Sequence, residues 1–367
     1  MDRYKQNNAR GHENRAMKTK SLKITVEMLR LIADIDEFKG AWREMTALAP
    51  ERLLQLRRVA TIESIGSSTR IEGARLSDGE VEELLGRLEC AKFLSRDEQE
   101  VAGYADVMDT VFANYKEITL TENYVKQLHA MLLRHANKDE RHRGDYKKLP
   151  NHVEAFGPGG ESLGVIFATA SPFDTPLRMR ELLVWTRESL SDGSLHPLVV
   201  IGMFVVEFLA IHPFQDGNGR LSRVLTTLLL LRSGYAYVPF SSLESVIEHN
   251  KDSYYLALRR TQVTLEDESP DWEPWLLFFL RSLKEQKDRL AGKISQESRL
   301  EGLHPDALRI LEHVRLQGRL NTSQAAKLTG APRSTVKVRL AELVRHGLIA
   351  RYGQGRGAWY GLPPQRI

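Results

Sequence analysis

The segment from His212 to Arg223 constrains this chain more than any other. It reads His-Pro-Phe-Gln-Asp-Gly-Asn-Gly-Arg-Leu-Ser-Arg and leads into an apolar run that ends at Leu231. Gly217 and Gly219 can adopt positive φ at no steric cost, so the backbone amides around them can converge on an anion. The apolar run has helical length, and the N-terminus of a helix adds positive potential at the same place. The segment therefore predicts a phosphate-binding turn.

The charged side chains of this segment agree with that interpretation. Arg220 and Arg223 are three residues apart, so both can face the anion from the first turns of a helix. Asp216 has no evident partner, and we expect a hard cation such as Mg²⁺ to bridge its carboxylate and the phosphate. His212 is then the proton acceptor. The simpler alternative is a structural turn, although the carboxylates of an EF-hand calcium loop are missing.

The whole string resembles the signature of the Fic family, His-x-Phe-x-Asp/Glu-Gly-Asn-Gly-Arg-x-x-Arg, and matches it at every defined position. The resemblance implies transfer of AMP from ATP, with Mg²⁺, to a Ser, Thr or Tyr hydroxyl of a target protein or of the chain itself. It assigns the general base to His212 and the metal ligand to Asp216. It assigns nucleotide phosphate binding to Gly217, Asn218, Gly219, Arg220 and Arg223.

A second element, Ser68-x-x-x-Glu72-Gly73, lies upstream of the signature. Ser68 and Glu72 share a face of a helix, and Gly73 suits the end of that helix. Residue types alone would make this a solvated helix end. The element also resembles the inhibitory Ser/Thr-x-x-x-Glu-Gly/Asn element of one Fic subgroup. That resemblance implies that Glu72 pairs with Arg223 and blocks the γ-phosphate site.

Two further parts of the site are expected from the resemblance. The glycine cluster at 157–160 is interpreted as a surface turn, because no helix follows it directly. The strand-like run after it resembles by position the Fic flap, a hairpin that aligns the target by strand pairing; we assign to it Val165, Ile166, Phe167, Ala168 and Thr169. The segment Ser245 to Gln262 predicts one helix, in which Asn250 and Tyr254 are candidates for the base pocket. Aromatic residues at such spacing otherwise indicate core.

The composition changes near Leu303. Residues 299–367 contain 12 Lys and Arg against 4 Asp and Glu, a net charge of +8 in a chain whose total is +4. Their pattern predicts three helices and a hairpin with a basic glycine-rich tip, which resembles a winged helix-turn-helix. The third helix would enter a DNA major groove and the tip would lie on phosphate, with contacts from Arg333, Lys337 and Arg356. Protein docking or dimerisation is the alternative role of such a module, so a homodimer is also open.

Length and composition bound the remaining expectations. A chain of 367 residues suggests two or three domains. A single cysteine excludes an internal disulfide and fits a reducing cytoplasm, and no signal peptide is evident. The longest apolar run, Leu198 to Ile211, is too short to span a membrane and indicates a buried helix. We expect a flexible tail (1–20), an N-terminal helical region with the inhibitory helix (21–115), a Fic core (116–298) and a winged helix (299–367).

The overall expectation is a mostly α fold with a Fic-type helical core, a small β-hairpin flap and a C-terminal winged helix-turn-helix. The expected function is that of a protein adenylyltransferase autoinhibited by Glu72. Fic relatives that transfer phosphate, uridylate or phosphocholine, or that remove AMP, share the signature and remain alternatives. An alternative of a different class is a DNA-binding regulator whose Fic core senses a nucleotide.

Overall fold

The computed structural model describes residues 17–44, 50–87, 93, 95–151, 153–156, 162–300 and 302–363. These residues form fourteen α-helices and two small antiparallel sheets. The fold is therefore mostly α, as the sequence predicts. The chain divides into two compact units, Met1–Asp288 and Arg289–Ile367. The division falls ahead of the boundary expected after residue 298, inside a helix that continues past that residue without a break.

The described residues from 17 to 132 form five α-helices, and side chains with capping preference begin several of them. The helices are α1 (Val26–Glu44), α2 (Pro50–Ile71), α3 (Asp78–Gly86), α4 (Arg96–Asn114) and α5 (Glu122–Leu132). Ser77 and Ser95 form capping boxes at α3 and α4, and Thr121 caps α5. Each cap satisfies an amide that the helix leaves without an internal partner. Helices α3, α4 and α5 thus each begin at a residue whose side chain supplies the cap.

Part of the expected flexible tail, residues 17–20, belongs to the part of the chain that the structure describes. Residues 1–16 lie outside the described residues, whereas Lys18 is held by the main chain of the first unit. Its Nζ donates to the carbonyls of Glu266 at 2.9 Å and Asp267 at 2.6 Å. Lys18 thus binds carbonyls of a turn that is distant along the chain.

The centre of the first unit is a pair of buried helices, α7 (Pro197–Ile211) and α8 (Asn218–Arg232), preceded by α6 (Thr175–Asp192). In α7 every residue from Leu198 to Ile211 except Glu207 is buried, which confirms the predicted buried helix. The first turns of α8 bury polar side chains as well, so those side chains require partners. The loop between the two helices, residues 212–217, holds most of the signature.

The helix predicted from Ser245 to Gln262 is two helices. They are α9 (Leu243–His249) and α10 (Lys251–Gln262), and Asn250 lies between them with φ −112° and ψ 29°. The Asn250 side chain donates to the carbonyl of Val246 at 2.9 Å. Asparagine side chains compete with the backbone in this way, so Asn250 ends one helix and precedes the next. Helix α11 (Glu273–Leu300) follows α10 as one long helix.

A small hairpin interrupts the helices. Strand β1 (Val153–Phe156) pairs antiparallel with β2 (Ser162–Phe167), with Glu154 opposite Val165. Of the five residues assigned to the flap, Val165, Ile166 and Phe167 belong to β2, and the other two follow it. The predicted turn at 157–160 and the side chains of Val165 and Ile166 lie outside the described residues.

The second unit has the predicted winged-helix order. It contains α12 (Pro305–Gln317), α13 (Thr322–Thr329) and α14 (Arg333–Arg345), with β3 (Arg319–Leu320), β4 (Ala350–Tyr352) and β5 (Trp359–Gly361) in the sheet order β3-β5-β4. Asn321 caps α13 with a capping box. Its core is apolar and includes Ala307, Ile310, Val314, Val336, Leu340 and Leu343. In the wing, the rings of Tyr352 and Trp359 stack at 4.3 Å.

Candidate active site

His212 ends α7 in the left-handed conformation, with φ 51° and ψ 62°. Among the described residues it is the one non-glycine residue with positive φ, a strained state that concentrates at functional sites. Its Nδ1 lies 3.3 Å from the carbonyl oxygen of Leu209. Because a carbonyl can only accept, Nδ1 carries the proton and Nε2 is left as a proton acceptor.

The electrostatic surroundings keep this imidazole neutral. Burial is the largest cause and lowers the pKa of His212 to about 4, and the charge of Lys147 acts in the same direction. Glu72 and Asp216 act in the opposite direction. A neutral imidazole with a free Nε2 is able to accept a proton at neutral pH.

The turn after His212 is shaped by side chains as well as by glycine. Gly217 has φ 79° and precedes the first residue of α8, whereas Gly219 lies inside the helix and does not have the positive φ expected for it. Asn218 holds the loop through Phe214, because its Oδ1 accepts from the Phe214 amide at 2.9 Å and its Nδ2 donates to the Phe214 carbonyl at 2.7 Å. The Asn218 side chain is therefore used within the loop. The amides of the first turn of α8 stay unbonded within the helix and suit an anion.

Asp216 has partners that the sequence did not suggest. Its carboxylate lies 3.2 Å from Nη2 of Arg96 and 3.5 Å from Nη2 of Arg220, and it accepts from the Gly217 amide at 2.6 Å. The expectation that Asp216 lacks a protein partner is wrong, because helix α4 brings Arg96 to the loop. Arg220 is also paired with Glu100 of α4, at 3.1 Å.

The donor set at Asp216 fits a metal only together with a nucleotide. The described residues contain no group of three or more His, Cys, Asp and Glu side chains able to hold a metal ion. Mg²⁺ commonly uses one or two carboxylates and completes its shell with substrate phosphates and water. A single carboxylate beside an anion-binding helix end is consistent with Mg²⁺ in that form.

The contact expected between Glu72 and Arg223 is present. Arg223 Nη2 lies 2.7 Å from Glu72 Oε1, and the guanidinium also donates from Nε to Ser68 Oγ at 2.8 Å and from Nη2 to the Ser68 carbonyl at 2.9 Å. The Glu72 carboxylate lies so close to Gly219 that a Cβ there would overlap it. The carboxylate thus occupies the start of α8, next to the amides that suit an anion.

A cavity of about 720 Å³ connects these groups. Glu72, His212 and the turn from Asp216 to Arg220 line one part of it, and residues of α10 line another, namely Tyr254, Tyr255, Leu256, Leu258, Arg259 and Gln262. Tyr254, predicted for the base pocket, therefore lies in the same cavity as His212. Asn250 does not line it; it lines a separate groove between α10 and α11.

Sequence reasoning missed two polar groups that support the loop. His129 of α5 is fully buried, stacks on Phe214 at 3.8 Å and lies with Nε2 3.0 Å from the Asp216 carbonyl. The buried side chain of Lys147 lies under the loop with Asn151. Neither residue lies in a motif. The sequence feature that pointed to His129 was its position beside the apolar face of a helix, and no such feature marked Lys147.

The candidate DNA-contact residues lie in the second unit. Arg333 and Lys337 are exposed on α14, and Arg333 Nη2 donates to Ser323 Oγ at 3.0 Å. The side chain of Arg356 lies outside the described residues. No helix in the described part of the chain is long and apolar enough to cross a membrane.

Comparison with known proteins agrees with this geometry. Residues 119–230 match the model of the Fic/DOC family. The chain carries a Fic domain. Residues 307–352 match the IclR helix-turn-helix domain, so the second unit is a helix-turn-helix module.

Relatives of the Fic domain include curated proteins named protein adenylyltransferase Fic. The one from Drosophila grimshawi is 27% identical over 230 residues, which are 62% of this chain and 44% of the relative. The one from Drosophila virilis is 28% identical over 213 residues, which are 58% of this chain and 41% of the relative. The matched part therefore spans less than half of the length of these relatives.

Solved structures share the fold. A Fic family protein from Desulfovibrio desulfuricans G20 has a TM-score of 0.59 at 24% identity, over 95% of this chain and 99% of that one. A Fic domain containing signaling protein from Bacteroides thetaiotaomicron VPI-5482 has a TM-score of 0.55 at 24% identity, over 71% of this chain and 97% of that one.

Proposed function

We propose that this chain is a protein adenylyltransferase that transfers AMP from ATP to a hydroxyl of a target protein. The observation that carries the proposal is the placement of His212, whose neutral imidazole keeps Nε2 as an acceptor and lines the same cavity as the amides at the start of α8. An acceptor beside an anion-binding helix end matches what nucleotidyl transfer to a hydroxyl requires. The relatives named protein adenylyltransferase agree with this reaction class.

In the proposed reaction, Nε2 of His212 takes the proton of the attacking hydroxyl. The hydroxyl oxygen bonds to the α-phosphorus, the bond from that phosphorus to the bridging oxygen of the β-phosphate breaks, and pyrophosphate leaves. The first amides of α8 and Arg220 stabilise the charge on the leaving phosphates. Asp216 would hold Mg²⁺, which when bound neutralises part of that charge.

Two arginines must exchange partners for this role. Arg220 is paired with Glu100 and Asp216, and Arg223 with Glu72. We propose that Arg220 then binds the β-phosphate of the nucleotide, and that Arg223 binds the γ-phosphate once Glu72 withdraws. The conformation described here is then the inhibited one.

The decisive experiment incubates the full chain and its Glu72→Gly variant with Mg²⁺ and ATP labelled on either the α- or the γ-phosphate and weighs the adduct. A mass gain of one AMP, labelled from the α-phosphate alone, supports the proposal. A gain of phosphate, uridylate or phosphocholine from the matching donor would assign another Fic chemistry. Loss of AMP from a modified protein would instead assign hydrolytic removal of AMP.

Gln262 should set the preference for adenine. It is nine-tenths buried where α10 lines the cavity, and its side chain has an NH₂ group that donates and a carbonyl oxygen that accepts. Gln262→Met keeps the shape and removes both, so the affinity for ATP should fall about 10-fold, the cost of leaving a buried base edge unpaired. Calorimetric titration with ATP and GTP measures this. Gln127→Met, on an exposed part of α5, is the control, and an unchanged preference between the two nucleotides would remove Gln262 from base recognition.

We also propose that the second unit binds DNA, on the basis of its match to a helix-turn-helix domain and the net charge of +8 of residues 299–367. Affinity of the full chain for duplex DNA should fall steeply with salt, because phosphate contacts release counterions. Removing both Arg333 and Lys337 should lower the slope of log affinity against log salt by about two. Arg58→Ala, at an exposed site on α2, is the matched control. A slope equal to that of the parent chain would favour protein docking.

A further inference from the structure

The end of α7 is held by an unusual number of side-chain and loop donors. Five consecutive carbonyls, from Ala210 to Phe214, each accept a hydrogen bond from outside the helix. The donors are the amides of Ala170 and Lys147, the Lys147 ammonium and the Asn151 side chain, at distances between 2.6 and 3.3 Å. Helix ends leave such carbonyls without partners, and here a single neighbouring segment supplies nearly all of them.

Lys147 is the centre of this arrangement. The residue is 3% exposed, and Nζ donates to Asn151 Oδ1 at 2.8 Å, Thr169 Oγ1 at 2.9 Å and the Ile211 carbonyl at 3.0 Å. All three protons of the ammonium are therefore used, which is what makes the burial of a charge tolerable. The positive charge also lies at the C-terminal end of α7, where a cation is favoured.

The contacts of Lys147 bracket the histidine. Its side chain binds the carbonyl of Ile211, and its backbone amide binds the carbonyl of Pro213 at 2.8 Å. Asn151, which is oriented by Lys147, donates to the carbonyl of His212 itself at 3.2 Å. The strained left-handed backbone of His212 is thus held on both sides and in the middle, as strained residues require.

The same contacts close the base of the β1–β2 hairpin. Asn151 lies just before β1 and Thr169 just after β2. Thr169 Oγ1 donates to Asn151 Oδ1 at 3.1 Å, and Lys147 Nζ donates to both side chains. Lys147 is therefore bonded at once to both ends of the hairpin and to the loop that carries His212.

We propose that Lys147 is a positioning residue that sets the catalytic loop in register with the base of the β1–β2 hairpin. The part of this proposal that concerns the target rests on the proposed function. A hydroxyl presented by the hairpin would reach Nε2 of His212 at a defined distance, because one ammonium binds both the base of the hairpin and the loop that carries His212. The part that concerns the loop stands on the hydrogen bonds alone.

The electrostatic effect of Lys147 gives a readout that a purely structural role would not move. Its charge adds to burial in lowering the pKa of His212, against Glu72 and Asp216. Burial and the charge of Arg178 lower the pKa of Lys147 itself to about 8, so the ammonium is largely charged at neutral pH. Removing that charge should raise the pKa of His212.

The test compares Lys147→Met with Lys148→Met in the full chain, each combined with Glu72→Gly so that activity is measurable. Lys148 is the matched control, since it is the next residue and its side chain is 71% exposed. We expect Lys147→Met to lower the rate constant of AMP transfer about 100-fold, as misplacement of a base does, with ATP affinity within about twofold of the parent. By NMR titration the pKa of His212 should rise by about one unit. Lys148→Met should change none of these.

A second variant guards against misfolding. Thr169→Val keeps the volume and removes one acceptor of the ammonium, so transfer should fall about 10-fold with the thermal unfolding midpoint nearly unchanged. If both Lys147→Met and Thr169→Val transfer AMP at the rate of Lys148→Met and leave the pKa of His212 in place, the positioning proposal is wrong while the proposed function stands. If the chain with Glu72→Gly alone transfers no AMP at all, the proposed function fails, and the pKa of His212 in Lys147→Met still decides the part of the proposal that concerns the loop.

Discussion

Replacing His212 with alanine should abolish AMP transfer while leaving ATP binding nearly intact. The imidazole is the proton acceptor of the proposed reaction, and general base catalysis contributes about 10²- to 10⁴-fold to such rates. The phosphates are held instead by the first amides of α8 and by arginines, which the substitution leaves in place. Radiolabel transfer from ATP measures the first quantity, and calorimetric titration with ATP measures the second.

The pH dependence of AMP transfer is a second test of the role of His212. Because burial lowers the pKa of His212 to about 4, the imidazole stays neutral as the pH is lowered from 7 until the pH approaches that pKa. Transfer should stay constant down to about pH 5 and decline only below it, as the imidazole gains its proton. His249→Ala, at an exposed position of α9, is the control for the loss of a histidine outside the site.

A His212→Ala variant that labels its target at the parent rate would remove His212 from the chemistry.

Replacing Glu72 with glycine should raise self-modification about 10- to 100-fold. That is the gain expected when a competent state populated at a few per cent becomes the dominant one. The Glu72 carboxylate lies 2.7 Å from Nη2 of Arg223 and against Gly219, so it occupies the place proposed for the γ-phosphate. Its removal takes the carboxylate partner away from Arg223 and opens the start of α8 to the nucleotide.

The measurement is the initial rate of α-labelled AMP incorporation into the chain. Glu51→Gly, at the exposed start of the same helix, controls for the effect of glycine in α2. Combining Glu72→Gly with His212→Ala should return the rate to background. If Glu72→Gly modifies itself no faster than Glu51→Gly, the autoinhibitory role assigned to Glu72 is wrong.

Local signals in the sequence were strong where the interacting residues are close along the chain. The caps at Ser77, Thr121 and Asn321 were predictable because each depends on an oxygen and an amide within one helical turn. The buried helix before His212 was predictable from its unbroken apolar run. The same local reasoning failed at Asn250, where one side-chain hydrogen bond to Val246 separates two helices.

The signature by itself determined which residues carry the proposed chemistry: an imidazole, a carboxylate, a glycine turn and two arginines within a short segment. The pattern of residues 299–367 separately determined the winged-helix order of the C-terminal unit. Only the tertiary structure decided what these groups touch. Arg96 and Glu100 reach Asp216 and Arg220 from α4, and Lys147 reaches the end of α7 from a distant loop. The physical reason is that local hydrogen bonding depends on spacing along the chain, whereas the partners of a buried charge depend on which helices pack together, and no motif in one segment specifies that packing.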